Sequence, residues 1–336
     1  MSGPDMPASP PLPFRHAGGG TAPTAGAATG PPTPAAGLVS PRQARGWRYL
    51  WYRLRGSPLT IVGAGLILVY LLVALAAPLL APVPEGWRGP YDVQASFGDQ
   101  LLAPGHERCD PACPFGTSEF GVDLYYGVVW GTRISIAMGL GITAAGIIIG
   151  LVLGLLAGWY GGWVDDIVMR VTDVFLSLPL LILAIAIVVA FGRGLENVAL
   201  ALILVWWPPY TRLIRGQVLA IRESQFIEAA RASGLPNWYI MGRHVVPNSV
   251  APIVVQGTLD IGIVVLVAAA LSFLGFAGSS SLVPEWGRLV ALGQNYMATG
   301  EWWTVVFPGL AIFGFVLGFN LLGDGLRDML DPRGKR

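Results

Sequence analysis

Six long apolar runs, separated by polar stretches, constrain this chain more than any other feature. They lie at 59–81, 134–158, 167–191, 198–214, 250–276 and 302–322. A helix needs about 20 predominantly apolar residues to cross the ~30 Å hydrocarbon core of a bilayer. In lipid every backbone N–H and C=O must be paired within the structure, so runs of this length are expected as helices. The sequence therefore predicts an all-α polytopic membrane protein with six transmembrane helices. Composition argues against a soluble fold: 54% of the 336 residues are hydrophobic and 12% charged, against about a quarter charged in soluble domains.

The rest of the chain divides around these runs. Residues 1–40 are Pro, Gly, Ala, Ser and Thr with few large apolar groups. Such a segment buries too little surface to offset its ordering entropy and is expected to be a disordered tail. Residues 41–58 mix Arg42, Arg45, Arg48, Arg53 and Arg55 with Trp47, Tyr49, Trp51 and Tyr52, a composition suited to lipid headgroups. The run 59–81 is followed by a polar loop, 82–133, a core at 134–323 that contains the polar stretch 220–248, and a short C-terminal segment at 324–336.

Arginine asymmetry sets the orientation. Arg215, Arg222, Arg231 and Arg243 fall between the fourth and fifth runs, and Arg327, Arg333, Lys335 and Arg336 follow the sixth. With six spans, both groups share a side with the arginine-rich segment before the first run. The loop 82–133 opposite leans acidic (Glu85, Asp92, Asp99, Glu107, Asp110, Glu119, Asp123). Positive charge marks the cytoplasmic side, so both termini and the 220–248 stretch are expected there.

Several interior features have two readings. Gly146, Gly150, Gly154 and Gly158 recur every fourth residue and form one smooth helical stripe for close backbone approach, either within the chain or to a second subunit. Pro208 and Pro209 remove two backbone donors and should kink the fourth span. Asp260 lies deep in the fifth, where an ionisable group is costly and faces protein or water. It lines a translocation path or makes an interhelical hydrogen bond, with Gln256 one turn away as candidate partner. Cys109 and Cys113 form a local disulfide or remain two thiols.

Other function classes find little support. Net charge is +1, so nothing draws the chain to nucleic acid. His16, His106 and His244 are isolated, and no HExxH, GxSxG or Cys/His cluster is present; no catalytic residue, metal or cofactor is expected. The only lysine among 21 basic residues is Lys335, so no Gly-Lys-Ser/Thr phosphate loop exists. Any ATP chemistry has to sit on another subunit.

The polar stretch holds Glu228-Ala229-Ala230-Arg231-Ala232-Ser233-Gly234, then Arg243-His244-Val245-Val246-Pro247. Paired alanines remove bulk, a glutamate supplies charge, and a glycine permits a sharp turn, which suits a short helix docking in a groove of another protein. Ser224 is a candidate N-cap, and Gly234 with Pro236 a candidate stop. This spacing resembles the "EAA" loop of ABC-importer permeases. The resemblance extends, over about 56–333, to the second permease of peptide/nickel-type importers. It is carried by Gly56-Ser57-Pro58-Leu59, Phe115-Gly116-Thr117, Gly131-Thr132-Arg133-Ile134-Ser135, Gly161-Gly162-Trp163-Val164-Asp165, Arg215-Gly216-Gln217-Val218-Leu219, Ala270-Leu271-Ser272-Phe273-Leu274-Gly275, Pro284-Glu285-Trp286-Gly287 and the stretch from Phe319 to Asp328. Two departures stand out: Val122, where the family usually has Arg, and Ala268, where many members carry glutamate.

The resemblance implies a type I ABC importer permease fold in a bacterial plasma membrane. It implies a second homologous permease, two cytoplasmic ATPases and an extracytoplasmic solute-binding protein as partners, with dipeptides, oligopeptides, nickel or another small solute as cargo. Glu228, Ala229, Ala230, Gly234, Trp238 and Pro247 would couple to the ATPases, with Trp238, Tyr239, Ile240 and Met241 giving apolar contact. The alternative class is an ion-coupled secondary transporter, which usually needs more ionisable groups inside the membrane.

Overall fold

The computed structural model describes residues 58–83, 85–86, 89, 99–108, 113–278 and 283–330. The expected tail 1–40, nearly all of the basic-aromatic segment, Cys109, and Arg333, Lys335 and Arg336 lie outside the described residues. Among the described residues the regular structure is helical, with one isolated bridge between Thr117 and Asp123.

Helix α1 (Pro58–Leu80) is apolar on all sides and leaves Leu68, Leu72, Leu75 and Leu79 exposed, as a helix facing lipid does. Helix α2 (Leu124–Tyr160) runs for 37 residues, about 55 Å at 1.5 Å per residue. It starts ten residues before the expected span at 134–158. Tyr125, Tyr126, Thr132 and Arg133 make that first stretch read as loop, yet Asp123 caps it, its side chain accepting a bond from the Tyr125 N–H at 2.8 Å. Val122, at the departure from the family pattern, is fully buried against α2 and its neighbours.

The expected third span, 167–191, is not one helix. Helix α3 (Gly162–Ser177) and helix α4 (Leu180–Phe191) meet at 94°. Pro179 is the cause: the residue before a proline is pushed out of the helical region, and Leu178 sits at φ −95°, ψ 139°. Helix α5 (Leu195–Arg222) then extends well past the expected 198–214.

Helix α5 continues through Pro208 and Pro209. Pro208 cannot donate to the Leu204 carbonyl four residues back. The Trp207 indole Nε1–H donates there instead, at 2.9 Å, so a side chain replaces the missing backbone donor. Trp207→Phe leaves that carbonyl unpaired and is expected to cost about 1–3 kcal/mol, read as a lower unfolding midpoint of the detergent-solubilised protein.

After α5 comes a short arm: helix α6 (Gln225–Ala232), helix α7 (Asn237–Ile240) and a π-helical turn, Met241–Val245. The turn passes directly into helix α8 (Val246–Phe273), so Asn237–Phe273 forms one helical stretch. The expected polar loop from Asn237 onward is thus a helical extension of the fifth span. Helix α9 (Trp286–Gly293) lies between α8 and helix α10 (Trp303–Leu330). Glu285 caps α9, accepting bonds from the N–H groups of Gly287 and Arg288 at 2.9 Å each. Burial pushes its carboxyl above the usual range. The Trp286 indole reaches the Val128 carbonyl on α2 at 3.0 Å.

Among the described residues, α1, α2, Asn237–Phe273 and α10 are each long and apolar enough to cross a membrane, and the bent pair α3–α4 makes a fifth. Helix α5 falls outside that set. It needs no all-apolar surface because it packs along α2 and buries Val198, Leu202, Tyr210, Ile214 and Val218.

The glycine stripe faces this same seam. A Cβ on Gly150 would lie 2.4 Å from Tyr210 Cβ and 2.9 Å from the Thr211 nitrogen; one on Gly158 would meet Val218 at 2.8 Å. Close approach within the chain is therefore the reading the structure selects.

Candidate functional site

The arm has an inner and an outer face. Ile227 and Ile240 are fully buried, Val245 likewise, and Ala230 is 7% exposed. These residues join the main core with Trp159, Val218 and Ile221. The outer face carries Phe226, Glu228, Ala229, Tyr239 and Trp238, the last 71% exposed. The two alanines of the motif thus have different surroundings: Ala230 seats the arm and Ala229 leaves the outer surface flat.

The aromatic rings gather around one residue. Phe226 and Tyr239 lie 6.4 Å and 6.3 Å from the His244 ring, and Trp238 meets Tyr239 edge-on at 5.9 Å. Sequence reasoning named Trp238 and Tyr239 but missed Phe226 and His244. It also placed Ile240 and Met241 on the contact surface, whereas Ile240 is in the core and Met241 packs against it. The helical period explains both errors, since Phe226 precedes the motif and Ile240 falls on its inner side.

Local geometry fixes the arm's turns. Ser224 occupies the N-cap position of α6 but does not cap it with its side chain; its hydroxyl donates back to the Ile221 carbonyl at 2.5 Å. At the other end Gly234 has φ 75°. Its N–H reaches the Arg231 carbonyl at 2.9 Å, and the Leu235 N–H reaches Ala230 at 3.3 Å. That pair of bonds is a Schellman stop, which needs the left-handed conformation glycine adopts freely. Pro236 then starts α7, and Pro247 follows the π-helical turn inside the continuous Asn237–Phe273 stretch, where it cannot donate to a carbonyl of the preceding turn.

Among the described residues Glu228 pairs with neither Arg222 nor Arg231. Arg231 lies over the Trp159 ring, 4.6 Å from its centroid. Arg222 contacts Glu223 at 3.4 Å and donates to the carbonyls of Gly158 and Trp159. Glu228 is left exposed on the outer face.

A second polar site lies inside the bundle. Asp260 is 5% exposed and accepts bonds from Gln256 Nε2 at 2.9 Å and Trp206 Nε1 at 3.3 Å. The bond between helices is the one from Trp206 on α5, which sequence reasoning missed; Gln256 is on the same helix as Asp260. The Tyr210 hydroxyl lies beside the carboxylate, outside good hydrogen-bond geometry. Gln256 also lines a 430 Å³ cleft with Leu213, Val255, Leu259 and Arg327. Gln256 therefore faces open space with Asp260 behind it.

On the loop side, Cys113 is buried and disulfide-bonded. No cluster of three or more His, Cys, Asp or Glu suited to a metal occurs among the described residues.

These features coincide with known sequence patterns. Residues 150–336, which hold the arm and the Asp260 group, match the binding-protein-dependent transport system inner membrane component family. Residues 46–104 match the N-terminal TM domain of oligopeptide transport permease C. The chain belongs to the binding-protein-dependent transport system inner membrane component family. A dipeptide transport system permease protein of Alkalihalophilus pseudofirmus is 40% identical over 86% of this chain and 90% of its own length. A glutathione transport system permease protein of Pectobacterium atrosepticum is 39% identical over 85% and 91%. In structure, the chain is similar to a chain of the inward-facing MetNI methionine ABC transporter, with a TM-score of 0.48, 20% identity, and 61% and 97% of the two chains covered. As a member of this family the chain is a multi-pass inner-membrane permease of an ABC transporter.

Proposed function

We propose that this permease forms half of the translocation path of an ATP-driven importer for short peptides, and that its arm is where a cytoplasmic ATPase docks. One observation carries the docking reading: an arm whose inner face is built into the core leaves Phe226, Trp238, Tyr239 and an unpaired Glu228 on its outer face. Exposed aromatic anchors with a nearby charge suit a protein groove. The arginine distribution supports a cytoplasmic arm and cytoplasmic termini. With no phosphate-binding lysine in the chain, two ATPase subunits supply the energy, a second permease supplies the other half of the path, and an extracytoplasmic binding protein delivers cargo. The dipeptide and glutathione permeases among the relatives favour short peptides as that cargo.

Within the path, Gln256 offers an amide to the cleft, held there by its bond to Asp260. Uptake of a radiolabelled dipeptide into proteoliposomes holding the complete complex tests this assignment. Uptake is expected to require ATP and the binding protein, and Gln256→Ala to lower it up to about tenfold, the worth of one well-placed hydrogen bond. Uptake driven by a proton gradient without ATP contradicts the function, and native uptake in both Gln256→Ala and Asp260→Asn removes this group from the path.

A further inference from the structure

The chain joins the arm to the bundle at both ends, to α5 through Glu223 and Ser224 and to α8, and the arm's apolar inner face packs into the core. Through the π-helical turn the arm continues into α8 without a break. Arg231 adds a polar attachment, stacked on Trp159 at the last turn of α2.

The ground beneath Trp159 is braced. Arg222 from α5 donates to the carbonyls of Gly158 and Trp159 at 3.1 and 3.4 Å, and these belong to a helix end whose carbonyls lack intrahelical partners. Arg215 on α5 holds Asp165 on α3 with two bonds, at 2.5 and 2.6 Å. The glycine seam brings α2 and α5 together along their length. The ends of α2, α3 and α5 therefore behave as one body, and the Trp159 ring is its contact face toward the arm.

We propose that Arg231 and Trp159 form a transmission joint: they pass displacement of the arm to the α2–α3–α5 body, so that this body and α8 move together. Both are positioning residues. Trp159 is buried, and Arg231, itself exposed, holds its guanidinium over the Trp159 ring. Cation–π contact is strongest with tryptophan, and a guanidinium or an ammonium over the ring can make it. The joint rests on the reading that the arm docks an ATPase. It adds to that reading a second output, separate from the helical continuation into α8.

The test uses the complete importer in proteoliposomes and reads ATP hydrolysed per peptide imported, with ATPase co-purification as the measure of docking. Trp159→Leu and Arg231→Met are each expected to keep their ATPases but raise the ratio about tenfold, while Trp159→Phe and Arg231→Lys stay within about threefold of native; the double variant should be no worse than either single one, as for two residues of one contact. A native ratio in both single variants, or single effects that multiply in the double variant, overturns the joint. Loss of ATPases from the Arg231→Met complex also overturns it, because Arg231 then belongs to the docking surface. Trp238→Ala separates the two ideas. A Trp238→Ala complex with its ATPases and its ratio intact overturns the docking reading and the joint with it. A native ratio in Arg231→Met beside a Trp238→Ala complex that loses its ATPases overturns the joint alone.

Discussion

Replacing Gly150 by leucine is expected to stop this permease from accumulating in the membrane, while Gly141→Ala leaves its level unchanged. The difference lies in what each position faces. An added Cβ at Gly150 would sit 2.4 Å from Tyr210 Cβ, 2.9 Å from the Thr211 nitrogen and 3.0 Å from the Trp207 carbonyl oxygen; at Gly141 nothing lies within 4 Å. Backbone atoms and a Cβ cannot swing aside, so α2 and α5 would have to part. Overpacking a tight interior by a methyl group or two costs about 1–3 kcal/mol, which is the expected penalty for Gly150→Ala, read as a lower unfolding midpoint in detergent. Leucine adds three further carbons at the same point. It also disturbs Tyr210 and its neighbours, the contact on which the packing of α5 depends. Equal accumulation of Gly150→Leu and the native chain would show that the stripe is not the seam described above.

How much of this was legible in the sequence depends on what each helix touches. Helices α1 and α10 face lipid over much of their surface, so hydropathy alone locates them. Helix α5 is different: its later half carries Arg212, Arg215 and Arg222, whose charges are met by Asp173, Asp165 and the end of α2. Such partners are distant in sequence, so the run seemed to stop near 214. The break at Leu178–Pro179 was available in principle, because a proline biases the residue before it out of the helix; an unbroken apolar run masked it. The proline pair does not end α5, and the donor that serves the Leu204 carbonyl is a side chain, that of Trp207.

The site shows the same division. The motif from Glu228 to Pro247 was readable because turn chemistry is local: Gly234 needs its left-handed conformation whatever surrounds it. Which residues face outward was not readable beyond α6, since the π-helical turn shifts the register between α7 and α8. The Trp206–Asp260 bond and the Arg231–Trp159 stack link residues 54 and 72 positions apart, and no local pattern announces them.

The second large effect concerns docking. Trp238→Ala is expected to release the ATPases from the purified complex and to abolish ATP-dependent uptake, with the permease itself folded normally. An exposed tryptophan carries no core packing, so its loss leaves stability unchanged, whereas a central aromatic anchor at an interface is worth about 2 kcal/mol or more. Glu228→Lys should act in the same direction. Reversing one charge of a buried interfacial pair costs several kcal/mol, because it both removes an attraction and installs a repulsion. An unfolding midpoint equal to that of the native chain, measured beside the loss of ATPases, separates a docking defect from a folding defect. Retention of the ATPases in both variants would place the contact elsewhere on the permease.

The most direct measurement asks which side the outer face meets and what covers it. Ala229 lies on that face next to Glu228, and cysteine there should change little. A maleimide unable to cross membranes is expected to label Ala229→Cys in inside-out vesicles stripped of ATPases. The label should be blocked once the ATPases are added back, and absent when intact cells are treated from outside. Labelling from outside intact cells, or undiminished labelling with the ATPases bound, would contradict the account.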